Sequence, residues 1–273
     1  MCRLAGFTLL LLACESPAAA PDASSGSTED GRTPLHVPSP LIESSCVGTG
    51  GPRVLVYMGE NLWTHTGNPA AARAILGMCA SRGFSVFASR DPYIFDHLDL
   101  MQIDTLVFAA TSGPVLHEQH RTALESWMRD GGGLVGLHTA DATESMWPYF
   151  VDAIGATLKT HAPGVYPAEF TIEDPEHPIV QGMPLRWPQT DEIHVFNSRP
   201  EETAMTILMA VDEATLPASY GEEFKVGYHP VAWAHELYGG RVFYSCLGHG
   251  AETYEDPAYV ELVARAIEWT ARR

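Results

Sequence analysis

Three histidines stand just after predicted strands, at the end of a parallel sheet where reactive groups usually lie. His65 follows the first strand, His138 directly follows the fourth, and His249 follows the last. In an open α/β sheet, ligands bind in the crevice beyond the carboxyl ends of the strands. A single histidine there is best explained as a loop residue, but three together favour a shared pocket. Because imidazole titrates near neutral pH, such a pocket could move protons on a substrate.

Further polar candidates lie in loops of the second half of the chain. They are His161, Asp191, Glu192, His194 and His229. Imidazole and carboxylate groups suit zinc, so one open alternative is a divalent metal bound among His138, His161, Glu192, His229 and His249, with His138, His161 and His249 as its ligands. No HExxH-type spacing supports a metal, and proton transfer by histidine alone is the other alternative. No nucleotide cofactor is expected.

The turn after the fourth strand argues against one class of chemistry. Strand, tight turn and helix form the layout of a nucleophile elbow, where a serine or cysteine is expected. Here His138 occupies the elbow position, between Gly136 and Thr139. Covalent acyl transfer by a cysteine amidotransferase or a serine hydrolase is therefore disfavoured.

The elements that must position these residues alternate between strands and helices. Apolar strands are predicted at 53–58, 84–88, 104–109 and 133–137. Helices are predicted at 68–82, 117–129 and about 144–154. Near-continuous apolar strands imply a parallel sheet covered on both faces, and short right-handed connections make it doubly wound.

Beyond Gly155 the pattern changes to strands joined by loops rich in proline and glycine. These strands are predicted at 168–172, 205–209, 230–234 and 241–245, and a last helix at 257–272. The final two strands flank Tyr238-Gly-Gly, which predicts an antiparallel hairpin. Residues 52–273 are therefore expected to form one α/β domain with an antiparallel addition.

The first 51 residues are expected to lie outside this domain. Residues 1–14 combine a basic Arg3 with a short apolar segment that ends at Cys14, as in a signal sequence with a lipobox. A plain signal peptide or a buried start helix is the alternative. Residues 15–51, rich in Ala, Ser, Pro and Gly, predict a flexible tether. We expect a lipid-anchored protein of the cell envelope, at the outer membrane or facing the periplasm.

The net charge of −18, from 34 acidic and 16 basic residues, restricts the partners. Such a field repels a phosphate backbone, so nucleic-acid binding is not expected. A membrane would be reached through the lipid anchor only. Cys79 and Cys246 are expected to be free thiols rather than a bridge. The oligomeric state stays open.

Several segments resemble the ThuA-like, trehalose-utilisation family. The most specific are GGGLVGLHTA at 131–140, HPVAW at 229–233 and GGRVFYSCLGH at 239–249. The resemblance spans essentially all of 53–272 in the correct order. It implies a class I glutamine amidotransferase-like fold without the cysteine. That fold is a flavodoxin-like three-layer doubly wound sheet, mostly parallel, here with an antiparallel hairpin added in the C-terminal half.

The resemblance also implies a role in sugar metabolism, often beside dehydrogenases that make 3-keto sugars. The pocket residues implied by it are His138, His161, Glu192, His229 and His249. One departure is Trp63-Thr-His65, which replaces an aromatic-Arg-His sequence of many members. Without that arginine, a contact to an anionic substrate is not expected at this position.

Two functions are compatible with these observations. The first is an enzyme, a hydrolase or isomerase acting on a sugar or 3-keto sugar, with His138 or His249 as base and Glu192 as acid or orienting partner. Substrate binding is assigned to His65, His161, His229 and Asp191. The second is a non-catalytic, lipid-anchored protein that binds a carbohydrate in the same pocket.

Overall fold

The structure is a computed structural model, and it describes Arg32 and residues 41–272. The predicted signal sequence with Cys14, and most of the predicted tether, lie outside these residues. Within the described part of the chain, every helix is too short or too polar to cross a bilayer.

The described residues form strands and helices that alternate through the first half of the domain. The strands are β1 (Ser44–Cys46), β2 (Arg53–Tyr57), β3 (Ser85–Ser89), β4 (Thr105–Ala109), β5 (Gly133–Leu137), β6 (Leu158–His161), β7 (Tyr166–Ile172), β8 (Arg186–Asp191), β9 (His194–Phe196), β10 (Thr206–Val211), β11 (His229–Leu237) and β12 (Gly240–Ser245). The helices are α1 (Gly67–Arg82), α2 (Ile94–His97), α3 (Glu118–Arg129), α4 (Pro148–Ile154) and α5 (Pro257–Thr270).

A ten-stranded mixed sheet forms the centre of the domain, in the order β1-β3-β2-β4-β5-β12-β11-β10-β7-β8. The neighbours from β3 to β12 pair in parallel, and the remaining pairs are antiparallel. Strands β6 and β9 pair separately as a small antiparallel sheet. The prediction of a doubly wound, mostly parallel sheet with an antiparallel hairpin of β11 and β12 is confirmed. The antiparallel part also extends through β10, β7 and β8.

Helices cover the sheet on both faces, which explains why its strands β2, β3, β4 and β5 are buried throughout. Every residue of β2, β3, β4 and β5 is buried. A Cβ atom added at Gly133 would meet α5, whereas one added at Gly136 would meet Ile154 of α4. Residues three apart on a strand point to opposite faces. Helices α5 and α4 therefore lie on opposite sides of the sheet, as a three-layer fold requires.

The predicted tether includes one strand of the sheet, which corrects the boundary at residue 51. Ser44–Cys46 pairs with β3 as an antiparallel edge strand. Arg32 also forms an ion pair with Asp104, 2.9 Å between Nη1 and Oδ2. A three-residue strand is too short to show a periodic pattern, so periodicity could not reveal it.

Other elements differ from the predictions in their length. The helix expected at 144–154 begins at Pro148, and residues 138–142 before it form a 3₁₀ turn. The sequence does not predict β6 and β9 because they have only four and three residues, nor β8 because it is mostly polar and contains a proline. Cys79 and Cys246 are free thiols, as expected.

Candidate functional site

A cavity of about 580 Å³ opens beyond the carboxyl ends of the parallel strands. Its walls include Trp63, His65, Thr139, His161, Glu192 and His249. The three histidines that follow β2, β5 and β12 meet here. The ring centroid of His65 lies 4.7 Å from that of His138 and 5.2 Å from that of His249. The predicted convergence of these imidazoles at one edge of the sheet is therefore present in the fold.

His138 stands at the turn that ends β5, in a backbone conformation suited to a functional side chain. Its φ of +51° lies in the left-handed region, which a non-glycine residue seldom adopts. The ring is fully buried, and Nδ1 lies 2.9 Å from the carbonyl oxygen of Cys246. Because a carbonyl only accepts, Nδ1 carries the proton and Nε2 keeps its lone pair. Nε2 lies 3.3 Å from Nδ1 of His249.

Two glycines bring the loop after β12 against the start of α1. The Gly67 N–H donates to the carbonyl of His249 at 3.1 Å. A Cβ atom at Gly67 would collide with the carbonyl oxygen of Gly248, and Gly248 itself has a φ of +115°. This close approach places His249 beside His65.

Glu192 lies at the centre of the cluster, within reach of four imidazole rings. Its Oε2 is 3.0 Å from Nδ1 of His161 and 3.6 Å from Nδ1 of His249. Its Oε1 is 3.2 Å from Nε2 of His194 and 3.8 Å from Nε2 of His138. The site is therefore one carboxylate surrounded by histidines from four separate segments.

His194 and Asp141 also belong to the site, which their positions in the sequence do not predict. His194 is fully buried, and its Nδ1 lies 2.8 Å from Oδ2 of the equally buried Asp141. From the sequence alone, His194 is one of several polar loop candidates and Asp141 is not among them. The one feature of the sequence that points to Asp141 is its position, three residues after His138 at the elbow turn.

Asp191 and His229 were expected to bind substrate, but the structure places both behind the cavity wall. Asp191 is 1% exposed and accepts hydrogen bonds from the N–H groups of Gly248 and His249 and from the hydroxyl of Thr253. His229, also 1% exposed, lies between Glu213 and the carbonyl of His194. With their polar atoms engaged in this way, they support the residues that face the cavity.

The charges of the cluster result from burial and from its hydrogen bonds. Burial would raise the pKa of Glu192, but hydrogen bonds from His194 and His249 outweigh it and hold that pKa far below its usual value. Burial alone would lower the pKa of His194, but the charge of Asp141 raises it to about 10. The pKa of His249 is raised by its hydrogen bond to Glu192, whereas burial lowers the pKa values of His138 and His65.

These directions decide between the two roles expected for Glu192, acid or orienting partner. A carboxyl group with so low a pKa remains ionised at neutral pH, so it fits an orienting partner rather than an acid. His249 retains a proton more readily than an ordinary imidazole, and its side chain is 35% exposed at the cavity. The arrangement can therefore donate and accept protons at a ligand bound in the cavity.

Possible metal ligands lie in two overlapping groups among the described residues. One consists of His65, His138 and His249, and the other of His138, Glu192 and His194, with ligand atoms within 4.8 Å of one another. The metal ligands expected from the sequence, His138, His161 and His249, match neither of these groups. His161 directs its Nδ1–H toward Glu192 and the carbonyl of Ala162, so that nitrogen has no free lone pair.

The fold and the site together define a class of protein: a doubly wound α/β domain with a histidine at the elbow turn and a histidine–carboxylate cluster beside it. The model of the ThuA family, described as trehalose utilisation, matches residues 53–270. The chain belongs to that family. None of the curated proteins compared with this sequence matches it.

Solved structures support the same fold. A ThuA-like protein from Bacteroides uniformis superposes with a TM-score of 0.68 at 19% identity, covering 81% of this chain and 92% of its own. One from Parabacteroides merdae gives 0.63 at 22% identity, covering 81% and 90%. A cytoplasmic protein of Salmonella typhimurium gives 0.53 at 10% identity, covering 80% and 98%. At these identities the likeness concerns the fold alone.

Proposed function

We propose that this protein acts on a sugar or 3-keto sugar by transferring protons at the histidine cluster. The observation that carries the proposal is the grouping of His249 and Glu192 at an accessible cavity, with four imidazoles around one carboxylate. Membership of a family described as trehalose utilisation supports a carbohydrate-related role. Proton transfer next to a carbonyl, or at a glycosidic oxygen, is work that imidazole does well near neutral pH.

The cavity residues divide into those that react and those that bind. His249 transfers the proton, because it is accessible and held by Glu192. His138 presents an unprotonated Nε2 at the buried end of the cluster. His65 and His161 line the cavity and contact the hydroxyl groups of the bound sugar.

The mouth of the cavity has features that suit a saccharide. The side chain of Trp63 is 49% exposed there, while its backbone is held by Ser112 through two hydrogen bonds. Aromatic rings with a few polar groups are typical of ligand pockets. A second cavity of about 500 Å³ shares Trp63 and His161 with the first, so there is space for more than one sugar ring.

The experiment incubates the full-length protein with trehalose, glucose and their 3-keto derivatives in D₂O, monitored by NMR. We expect conversion, or deuterium exchange beside the keto group, faster than without protein. His249→Ala should lower the rate about 10²–10⁴-fold. His97→Ala, an exposed histidine of α2, serves as the matched control and should keep the full rate.

Two results would overturn the proposal. Full turnover by His249→Ala would remove the assigned proton donor. Calorimetric binding of a sugar with neither conversion nor exchange would favour the alternative, a carbohydrate-binding protein that uses Trp63 and the same cavity.

A further inference from the structure

We propose that the site binds one divalent metal ion of the zinc type through Nε2 of His138, Nε2 of His194 and Oε1 of Glu192. The ion would lie at the inner end of the cavity and leave one coordination position open to it. The ligand set rests on geometry, and only the role of the metal rests on the proposed sugar chemistry.

The hydrogen bonds on Nδ1 of both histidines leave Nε2 as the nitrogen for a metal, and the ion would replace the proton that Nε2 of His194 shares with Glu192. His138 donates from Nδ1 to the carbonyl of Cys246, and His194 donates from Nδ1 to Asp141. A carbonyl and a carboxylate are the partners that metal-binding histidines most often have on their second nitrogen. Each bond fixes the orientation of its ring, so the two Nε2 atoms converge on the same point.

The spacing of the three ligand atoms is close to what a small cation requires. Oε1 of Glu192 lies 3.2 Å from Nε2 of His194 and 3.8 Å from Nε2 of His138. In a tetrahedral zinc site with zinc–ligand distances of 2.0–2.2 Å, neighbouring ligand atoms lie about 3.3 Å apart. All three atoms lie within 4.8 Å of one another, so modest side-chain movements complete the site.

Burial and charge also favour a cation at this point. His138 and His194 are fully buried and Glu192 nearly so. Two carboxylates face the imidazole of His194: Asp141 faces Nδ1, and Glu192 faces Nε2. A divalent ion between Glu192 and the two Nε2 atoms would replace the proton on Nε2 of His194 and compensate both negative charges in this buried position.

The surroundings of the open position are polar and suit a metal-bound water or a substrate oxygen. Oγ1 of Thr139 and Nδ1 of His65 are buried and have no hydrogen-bond partner among the described residues. Both residues line the cavity. Two histidines and one glutamate, with a position left for water or substrate, form a ligand set used by catalytic zinc sites. Such an ion polarises a carbonyl or activates water.

The test measures metal binding without any sugar. Full-length protein is stripped with a chelator and titrated with Zn²⁺ by calorimetry, and Co²⁺ absorption reports the coordination geometry. We expect one equivalent of Zn²⁺, a tetrahedral Co²⁺ spectrum, and at least a 100-fold weaker affinity in His138→Ala and His194→Ala. Asp141→Asn keeps all three ligands and should weaken binding about 10–100-fold.

His97→Ala is the matched control, since this exposed histidine of α2 lies outside the site. It should bind Zn²⁺ with little change, and circular dichroism verifies the fold of each variant. No Zn²⁺ binding by the wild type, or equal affinity in Asp141→Asn and the wild type, would contradict the inference. Zinc binding without sugar conversion would leave the metal site in place and overturn the proposed function instead. Equal sugar turnover by the stripped and loaded protein would show that the bound ion has no catalytic role.

Discussion

Nδ1 of His194 lies 2.8 Å from Oδ2 of Asp141, and both side chains are fully buried. The two residues are 53 positions apart in sequence and come from different parts of the fold. Their contact turns Nε2 of His194 toward Glu192, the carboxylate that three further histidines also surround. The histidine–carboxylate cluster is thus oriented by a contact buried behind the cavity.

The contact between Gly67 and Gly248 predicts a specific loss in Gly67→Ala. The new Cβ atom collides with a backbone carbonyl, so the His249 loop must move. We expect destabilisation by about 1–3 kcal/mol in urea unfolding, together with lower turnover.

Gly77→Ala provides the control within the same helix. A Cβ atom there meets no other atom within 4 Å, and alanine is the better helix former by about 0.5–1 kcal/mol. This variant should be more stable and equally active. If both substitutions had the same effect, the close approach at Gly67 would not matter.

Asp191→Asn tests whether Asp191 positions His249 rather than binding substrate. The amide cannot accept all the bonds from Gly248, His249 and Thr253 that the carboxylate accepts. We expect a loss of about 2–3 kcal/mol in the free energy of unfolding, and a fall in kcat with KM little changed. Thr253→Val removes only one of these bonds and should cost less. A raised KM with normal kcat would restore the substrate-binding role.

Glu213 should contribute stability that depends on pH. Burial opposes its ionisation, but hydrogen bonds from the Val226 N–H, His229 and the Gly227 N–H lower its pKa below the ordinary 4.5. Since the folded-state pKa is the lower one, the contribution is complete above the unfolded pKa and is lost as pH falls through the folded value.

Glu213→Gln should therefore be less stable than the wild type by about 1–3 kcal/mol at pH 7. The difference should shrink when urea unfolding is repeated at successively lower pH, beginning below about pH 5. A difference that stays constant down to about pH 3 would show that the ionised carboxylate is not what stabilises this region.

Trp63→Ala tests the mouth of the cavity. Because the side chain is half exposed and the backbone is held by Ser112, we expect little change in stability. Removing an aromatic anchor from a binding pocket should raise KM or Kd for the sugar by about 10-fold or more. Ser112→Ala is a contrasting variant, which should affect stability more than Trp63→Ala does. Unchanged sugar affinity in Trp63→Ala would exclude the indole from the binding site.

The parallel half of the sheet and the elbow histidine could be predicted from the sequence because their signals are local. Apolar runs such as 133–137 mark buried strands, and the residues directly after parallel strands must lie at one edge of the sheet. The meeting of His65, His138 and His249 is a consequence of that rule.

The sequence could not assign the residues around Glu192 because their contacts are tertiary. Asp191 and Glu192 are neighbours of the same chemical type, yet one faces the loop of Gly248 and the other faces the cavity. Which of the two faces the cavity depends on the course of the chain after β8, and β8 contains a proline and has no apolar alternation. The pairing of Asp141 with His194 likewise needs the folded chain.

The turnover of Glu192→Gln tests the central claim most directly, because this substitution keeps the shape of the side chain and removes its charge. We predict at least a 100-fold lower kcat on the sugar or keto sugar that the wild type converts, with the fold retained by circular dichroism. Full turnover by Glu192→Gln would contradict the assignment of the histidine cluster as the reactive centre.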